Sequence, residues 1–449
     1  MNVPRLIIAG VSSGVGKTTV AIGLMAAFRR RGLRVAPFKV GPDYLDPTWH
    51  AAACGRPSAP LDTWMLGGDG VRRSFQHGTE SADLALIEGM MGLHDGAEAA
   101  SDRGSTAEVA KILSAPVVLV LDGSALARSA GALALGYRQF DPEVPFAGVI
   151  ANRLVGAGHV KFIRPGIELQ AGLPLLGWLP SAPDAQIPER HLGLRSAGEQ
   201  APELVERLAE LIEAHLDLDA LWEAARTAPE LPQVPVRSSK PIGPRVRLGI
   251  AQDAAFSFYY PDNLSLLERA GAQLIPFSPI SEPGLPAGID GLYFGGGYPE
   301  LHSSALAANT ALHAEIRQAA YRGMPIYAEC GGLMYLCESL RGTDGGVHPM
   351  VGLVPARCVM EPVLQAIGYR EVLTRHPSLL GPAGTRVRGH EFHHSRLDGD
   401  LPEAALAFQV GERSIGYASG NLLASYVHLH FGSNPAAAEQ FVNQCLATH

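Results

Sequence analysis

The sequence predicts an α/β protein with two domains, and three observations lead to this prediction. Short apolar runs typical of buried parallel strands alternate with helical patterns in both halves of the chain. A stretch rich in proline, serine and basic residues interrupts this rhythm. The chain has 449 residues, more than the roughly 100–200 residues of a typical domain. We therefore expect domains over 1–227 and 246–449, joined by a linker over 228–245.

The predicted elements follow one another in a regular order. In the first domain we expect one helix closed by Gly32, one or two amphipathic helices over 201–226, and the strands RLIIAG, RVAPFKV, LALIEG, APVVLVLD and PFAGVIANR. The helix closed by Gly32 is KTTVAIGLMAAFRRRG. In the second domain the expected strands are VRLGIAQD, AQLIPFSP, GIDGLYFGGG, MPIYAE and NLLASYVHLHF.

Composition excludes several classes of protein. A net charge of −8 and the lack of a dense basic stripe argue against nucleic-acid binding. The five cysteines form no CxxC pair, which argues against a disulfide framework or a zinc ribbon and fits a reducing cytosol. No apolar run reaches the ~18–20 residues of a membrane span, so we expect a soluble, cytoplasmic protein.

A phosphate-binding loop is predicted near the N-terminus. In GVSSGVGKTT, Gly10 and Gly16 are separated by five residues, one more than in the usual Walker loop. Glycines let backbone N–H groups point at phosphate, Lys17 reaches the terminal phosphates, and the Thr18 hydroxyl can hold Mg²⁺. A purely structural turn is the alternative. The expected nucleotide contacts in this loop are Gly10, Gly14, Gly16, Lys17, Thr18 and Thr19.

Polar residues follow several strands of the same predicted sheet. Glu88 ends LALIEG, where a metal ligand belongs, although a surface carboxylate would fit the pattern too. Asp43 and Asp46 follow a strand in FKVGPDYLDPTWH and either ligate Mg²⁺, meet a substrate or form a Pro-Asp turn. Asp95 lies in the glycine-rich EGMMGLHDG. Asn152 either reads adenine or caps a strand end.

A thiol site is predicted in the second domain. Cys330 lies between a strand and a helix in AECGGLMYL, where a sharp turn exposes sulfur and the helix N-terminus lowers the pKa of the thiol. SYVHLHF supplies two candidate bases, His428 and His430, on one face of a strand. The alternative for Cys330 is an inert buried cysteine. Glycine N–H groups near the turn and in FGGGYPE suit an oxyanion hole, with Gly296, Gly297 and Gly331 as the candidates.

The segment HEFHH matches the HExxH pattern of zinc proteases. That chemistry needs both histidines on one face of a helix. The residues around His390–His394 are typical of a strand instead, in which His390, Phe392 and His394 share one face and Glu391 points away. We therefore expect a polar strand that lines a cleft rather than a zinc site.

Taken together, these segments resemble the cobyrinic (or hydrogenobyrinic) acid a,c-diamide synthase family along essentially the whole chain. SSGVGKTT, FKVGPDYLDPTWH, EGMMGLHDG, FGGGYPE, AECGGLMYL, GHEFHHS and SYVHLHF carry the resemblance. The first half is similar to dethiobiotin synthetase, whose P-loop shares the extra residue. The second half resembles the class I glutamine amidotransferases. The resemblance implies L-glutamine, ATP, Mg²⁺ and a corrin-type tetrapyrrole dicarboxylate as ligands; it does not fix the oligomeric state, and a homodimer is compatible with it.

The resemblance also implies a mechanism and residue roles. ATP phosphorylates the c and then the a acetate of the macrocycle, Cys330 with His428 releases ammonia from glutamine through a glutamyl thioester, and ammonia travels between the domains to displace phosphate. Lys17, Thr18 and Thr19 would hold ATP and Mg²⁺. The implied metal ligands are Thr18, Asp46 and Glu88, and the segments bordering the macrocycle contain Asp43, Tyr44, Leu45, Asp46 and Asp95.

One feature departs from the wider glutaminase pattern. Most class I glutaminases have His-Pro-Glu, whereas this chain has His428-Leu429-His430, so the orienting carboxylate is missing there and His430 stays open as the base. Two other functions remain alternatives. One is a nickel-sirohydrochlorin a,c-diamide synthase, and the other is a P-loop regulatory ATPase with a non-catalytic glutaminase-like module. Cobyric acid synthase fits less well because GPDYLDPTWH is not its pattern.

Overall fold

The computed structural model describes residues 2–182, 185, 187, 189–190, 193–194, 197, 201–234 and 245–447. The chain divides into two units, Met1–Val236 and Arg237–His449. Most of the predicted linker, 235–244, lies outside the described residues, so the domain boundaries stay a prediction. No helix in the described part of the chain has both the length and the apolar character needed to cross a membrane.

The first unit is built on a seven-stranded parallel sheet with the strand order β3-β2-β4-β1-β5-β6-β7, which confirms the predicted fold. A two-stranded antiparallel pair, β8 and β9, accompanies it. The strands are β1 Arg5–Gly10, β2 Val35–Val40, β3 Ala59–Leu61, β4 Leu84–Glu88, β5 Val117–Asp122, β6 Phe146–Leu154, β7 Leu175–Pro180, β8 Glu189–Arg190 and β9 Gly193–Leu194.

Both faces of this sheet are buried. In β1, Leu6 and Ile8 belong to the hydrophobic cluster on one face, while Ile7 and Ala9 belong to the cluster on the other. Side chains alternate between faces along a strand, so a strand covered on both sides is apolar throughout. Because the strands are parallel, their carboxyl ends meet at one edge, where polar residues can gather.

Helices cover the first sheet: α1 Lys17–Arg30, α2 Leu45–Cys54, α3 Thr63–Gly78, α4 Thr106–Ile112, α5 Ser129–Phe140, α6 Ala157–Pro165, α7 Ala201–His215 and α8 Leu218–Arg226, with a π-helical turn at Gly166–Ala171. The predicted first helix is α1, and Gly32 closes it as expected. Gly32, with φ 87°, lies in the turn beyond α1, where a left-handed conformation favours glycine. The predicted amphipathic segment 201–226, expected as one or two helices, forms two, α7 and α8.

The second unit contains a six-stranded sheet in the order β11-β10-β12-β13-β23-β22, parallel except for its last pair. Two further sheets, β15-β14-β16-β19 and β21-β20-β17-β18-β24, were not predicted from the sequence. The strands are β10 Val246–Ala251, β11 Ala272–Phe277, β12 Gly291–Phe294, β13 Ile326–Glu329, β14 Cys337–Arg341, β15 Val347–Pro349, β16 Val354–Met360, β17 Ala366–Thr374, β18 Arg386–His393, β19 Ser395–Asp398, β20 Phe408–Val410, β21 Arg413–Ile415, β22 Tyr417–Ser419, β23 Leu422–Ser425 and β24 His428–His430.

The helices of this unit are α9 Pro261–Arg269, α10 Ser303–Ala308, α11 Thr310–Tyr321, α12 Gly331–Leu336 and α13 Pro435–Leu446. One predicted strand is wrong. The run NLLASYVHLHF forms two strands in different sheets, because β23 pairs with β13 while β24 pairs with β18. The chain bends between them, where the Val427 N–H donates to Ser425 Oγ at 3.0 Å. The bend carries the predicted histidines away from the central sheet.

Candidate active sites

The phosphate-site loop joins β1 to α1. Gly14 and Gly16 have φ angles of 77° and 97°, in the left-handed region that favours glycine. A Cβ at Gly16 would lie 2.1 Å from Asn152 Nδ2, and one at Gly10 would lie 2.7 Å from Val15 Cγ2. The loop therefore depends on these glycines for its tight backbone, which is the geometry an anion cradle needs.

Lys17 begins α1 and its side chain bends back over the loop. Its Nζ donates to the Ser12 carbonyl at 2.9 Å. Burial, together with the nearby Lys39 ammonium, lowers the pKa of Lys17 to about 8, although neighbouring carboxylates oppose this. An arriving phosphate would favour the charged form. Thr18 and Thr19, both half-buried, follow in the first helical turn.

Glu88 lies at the centre of a buried polar cluster at the carboxyl edge of the sheet. Its Oε1 accepts hydrogen bonds from Thr18 Oγ1 at 2.6 Å and Lys39 Nζ at 2.9 Å. Its Oε2 lies 2.6 Å from His50 Nε2, and His50 Nδ1 lies 3.0 Å from Ser58 Oγ. Burial raises the pKa of Glu88, but Lys39, His50 and Thr18 outweigh it and hold the pKa below its ordinary value. The two oxygens of Glu88 therefore have different partners: Oε1 bonds Thr18 and Lys39, and Oε2 bonds His50.

Asp46 joins this cluster through Lys39. Its Oδ2 lies 2.6 Å from Lys39 Nζ, and both side chains are almost completely buried. Burial and the Glu88 charge raise the pKa of Asp46, and Lys39 opposes them. Burial lowers the pKa of Lys39, but Asp46 and Glu88 outweigh it and raise the pKa above its ordinary value. Lys39 is thus the buried cation that joins the two predicted acids.

The other predicted substrate residues lie around the start of α2 and, for Asp95, in the loop between β4 and α4. Asp43 Oδ1 accepts a hydrogen bond from the Leu45 N–H at 2.7 Å, which fixes the turn into the helix. Tyr44 and Leu45 are half-buried. Asp95 Oδ2 accepts from the Gly92 N–H at 2.9 Å. The turn, which is the alternative to a ligand role for Asp43, is therefore present, and the substrate role of Asp43 stays a prediction.

Asn152 braces the loop. Its Nδ2 donates to the Val15 carbonyl at 2.9 Å, and its Oδ1 accepts from the Arg153 N–H at 2.8 Å. Arg153 also donates to the Gly14 carbonyl at 2.8 Å. These contacts give Asn152 a structural role in shaping the phosphate loop, while adenine recognition stays a prediction.

The donor atoms near the loop suit Mg²⁺. A hydroxyl on Thr18 and a carboxylate on Glu88 lie 2.6 Å apart, and hard cations prefer oxygen ligands of this kind. Asp46 offers a third carboxylate, although Lys39 bonds it here. The residues present therefore fit the predicted magnesium site, with Thr18 and Glu88 as the best-placed pair.

Cys330 occupies a strained turn between β13 and α12. Its backbone has φ 46° and ψ −102°, a conformation that costs a non-glycine residue about 1–3 kcal/mol. Its N–H donates to the Ser425 carbonyl at 2.8 Å and its carbonyl accepts from the Met334 N–H at 3.0 Å. The arrangement is a strand-turn-helix elbow, which is how nucleophiles are often presented.

The low pKa expected for the Cys330 thiol is wrong for the folded chain. Burial and the Glu300 charge raise the pKa of Cys330 above its ordinary value, although a hydrogen bond from the Gly331 N–H lowers it. The helix that follows has only six residues, so its N-terminal dipole is too weak to offset burial. A proton acceptor is therefore needed to form the thiolate.

A glycine loop links the elbow to His428. A Cβ at Gly331 would lie 3.0 Å from the Gly297 backbone nitrogen, and a Cβ at Gly296 would lie 2.3 Å from His428 Cε1. The same loop therefore packs against the residue after Cys330 and against the imidazole. A side chain at Gly296 would collide with the imidazole, and one at Gly331 would crowd the glycine loop.

The predicted oxyanion donors differ in their present partners. The Gly296 N–H donates to the Phe258 carbonyl at 3.3 Å. The Gly331 N–H lies at the first turn of α12, beside the sulfur it hydrogen-bonds. Gly297, with φ 153°, lies close to Gly331. An oxyanion role for the three glycines stays a prediction.

His428 and His430 have different surroundings although both are buried. His430 Nδ1 accepts from the Gly432 N–H at 3.0 Å, its Nε2 lies 3.9 Å from Asp262, and its ring stacks on Tyr260. His428 instead lies against the glycine loop. This geometry favours His428 over His430 as the partner of Cys330.

His390–His393 lie in the strand Arg386–His393, which confirms the strand prediction for these residues. His394 lies in the bend after the strand, so it does not share a strand face with His390 and Phe392 as predicted. A helical zinc site is thereby excluded, because its two histidines would need one helix face. Glu391 Oε2 accepts from Arg370 Nε at 2.8 Å on one face of the strand. His390 faces the other side, and Phe392 is 40% exposed.

Sequence reasoning missed three buried polar residues beside the predicted ones. Lys39 and His50 bond Glu88, and Glu329 precedes Cys330. Lys39 carried a usable signal, because a lysine inside an apolar strand requires a charged partner. His50 carried none, since α2 brings it to Glu88 only in the folded chain.

Comparison with known proteins matches both units. Residues 6–194 match the family model described as the CobQ/CobB/MinD/ParA nucleotide binding domain. Residues 247–436 match the CobB/CobQ-like glutamine amidotransferase domain.

Curated relatives match over nearly the whole length. A cobyrinate a,c-diamide synthase of Syntrophotalea carbinolica is 46% identical over 455 residues, covering 99% of each chain. Proteins of the same name from Dehalococcoides mccartyi and Priestia megaterium are 43% and 41% identical, covering 98% and 100% of this chain and 98% of each relative.

Proposed function

Because the chain belongs to the cobyrinate a,c-diamide synthase family, we propose that it amidates the a and c acetate groups of cobyrinic or hydrogenobyrinic acid. It is an ATP-dependent, glutamine-hydrolysing ligase of cobalamin biosynthesis. The observation that carries the proposal is that one chain has both a P-loop beside a buried acidic cluster and a cysteine elbow that shares a glycine loop with His428.

In the first step, a macrocycle acetate attacks the γ-phosphorus of ATP and ADP leaves. Lys17 stabilises charge on the phosphate oxygens. Thr18 and Glu88 would hold Mg²⁺, which when bound would supply positive charge beside the phosphates. Asp43, Tyr44, Leu45, Asp46 and Asp95 border the macrocycle. Phosphorylation is needed because a carboxylate has no good leaving group, whereas an acyl phosphate does.

In the second unit, glutamine supplies ammonia. His428 takes the proton of Cys330, and the thiolate attacks the side-chain amide carbon. Glycine N–H groups stabilise the oxyanion that forms. His428 then gives its proton to the departing nitrogen, leaving a glutamyl thioester that water hydrolyses to glutamate. Ammonia attacks the acyl phosphate, and the amide forms as inorganic phosphate leaves.

A mass-spectrometric assay tests this function. The protein is incubated with ATP, Mg²⁺, glutamine and either cobyrinic acid, hydrogenobyrinic acid or nickel-sirohydrochlorin, and amides are counted from product masses. We expect two amides on a corrin-type substrate. Amidation of nickel-sirohydrochlorin alone would replace the substrate assignment, and no amidation of any macrocycle would favour a regulatory ATPase.

A further inference from the structure

The histidine-rich segment on β18 has no role in the chemistry above. It lies beside β24, and the antiparallel register places His390 directly opposite His428. Gly389, the preceding residue, lies so close to β24 that a Cβ there would be 2.0 Å from the His428 carbonyl oxygen. Glycine at this position allows the two strands to approach, so the contact between the histidines is built into the backbone.

The two imidazole rings are stacked. Their centroids are 4.9 Å apart and their planes differ by 13°. Stacking of this kind restricts rotation of a ring about its Cβ–Cγ bond, because the rotated ring would collide with its neighbour. Gly296 meets the His428 ring at Cε1. The His428 ring is thus held by the stack and by the glycine loop.

His390 is itself anchored. Its Nδ1 lies 2.8 Å from the Tyr260 hydroxyl, and both residues are buried. Tyr260 is fixed in turn, because its ring stacks on His430 with centroids 4.7 Å apart. Burial lowers the pKa of His390 to about 3, so the ring is neutral at pH 7. A neutral neighbour opposes protonation of His428 far less than an imidazolium would.

This chain lacks a carboxylate at the position where most class I glutaminases have the glutamate that orients the catalytic histidine. Two residues after His428 the chain has His430 rather than glutamate. The carboxylate of the HEFHH segment, Glu391, bonds Arg370 and also lies 3.0 Å from His393 Nε2. A general base must keep its nitrogen aligned with the sulfur through two proton transfers, so some group has to fix the ring.

We propose that His390 is the positioning residue of His428: its stacked ring, anchored by the Tyr260 hydroxyl, fixes the plane of the catalytic imidazole. This inference rests on the proposed glutaminase chemistry. His390 touches neither glutamine nor the sulfur in this role, so its effect is on the alignment of the base.

Three variants separate stacking from other effects: H390A, which removes ring and hydrogen bond; H390F, which keeps a stacking ring; and Y260F, which removes the anchoring hydroxyl. Glutaminase kcat and KM are measured for each. We expect H390A to lower kcat by about 10–100-fold with little change in KM, the range typical of residues that orient metal-bound histidines. We expect H390F to retain several-fold more activity than H390A, and Y260F to lower kcat less than H390A does.

Two controls make the result decisive. Ammonia-dependent amidation should stay at the wild-type rate in all three variants, and the exposed His376→Ala exchange should leave glutaminase kcat unchanged.

A wild-type kcat in H390A, or equal losses of kcat in H390A and H390F, would overturn the positioning role. If H390A does not fold, the proposal stands or falls on H390F and Y260F, and an unchanged kcat in Y260F with a KM defect in H390F would refute it. A wild-type protein without glutaminase activity would instead refute the proposed function.

Discussion

The carboxylate of Glu329 accepts a hydrogen bond from the backbone N–H of Leu429 at 2.9 Å. Glu329 immediately precedes Cys330, and Leu429 immediately follows His428, so this bond ties the nucleophile elbow to the strand of the base. The hydroxyls of Tyr293 and Tyr327 also donate to the carboxylate. A buried group with three donors is positioned firmly, and its ionisation should affect stability.

We predict that Glu329→Gln reduces the pH dependence of stability. Burial raises the pKa of Glu329 from 4.5 to about 7, despite its three donors. The folded protein therefore holds a proton that the unfolded chain has lost, so stability falls as pH rises from 4.5 to about 7 and then levels off. Between pH 5 and 8 the wild type should lose about 2–3 kcal/mol more than the variant. Urea unfolding of the second unit at both pH values measures this difference. Parallel losses would mean that Glu329 is ionised in the folded state throughout.

Replacing Cys330 by alanine should separate the two half-reactions. Without the thiol no thioester forms, so glutamine hydrolysis should fall by roughly 10⁴-fold or more. Amidation with ammonium salts should continue, because the P-loop chemistry does not use the sulfur. Cys54→Ala, in the first unit, is the matched control and should keep both activities. Glutaminase activity that survives in Cys330→Ala would refute the thioester.

The exchange Lys17→Ala should remove amidation from either nitrogen source. Lys17 is the buried cation of the phosphate loop, and loss of one such donor slows a reaction by roughly 10²–10³-fold. Glutamate release from glutamine, followed separately, should persist. The exposed Lys161→Ala serves as a charge-matched control. If Lys17→Ala amidates normally with ammonia, phosphoryl transfer does not depend on this loop.

Glu88→Gln should weaken the use of Mg²⁺. The amide keeps the size of the side chain but removes the negative charge that Thr18 and Lys39 now share. We expect the Mg²⁺ concentration for half-maximal ammonia-dependent amidation to rise by roughly 10–100-fold. Glu98→Gln, on an exposed loop, should leave the magnesium curve unchanged. Identical curves for Glu88→Gln and wild type would show that another group holds the metal.

The sequence by itself determined the features that depend on local pattern. Apolar runs bounded by turns identify the parallel strands, and the spacing from Gly10 to Thr18 identifies the phosphate loop. Cys330 between a strand and a helix identifies the elbow, because the turn is encoded by its immediate neighbours. These signals need no knowledge of residues far along the chain.

Only the tertiary structure decided which distant side chains meet. Lys39 and Glu88 are 49 residues apart in sequence, and the parallel register of β2 and β4 makes them neighbours. The pairing of His390 with His428 follows from the register of β18 and β24. Such contacts have no local signature, because they depend on strand order and on glycines that allow close approach. The polar partners that tune both sites are therefore set by the fold.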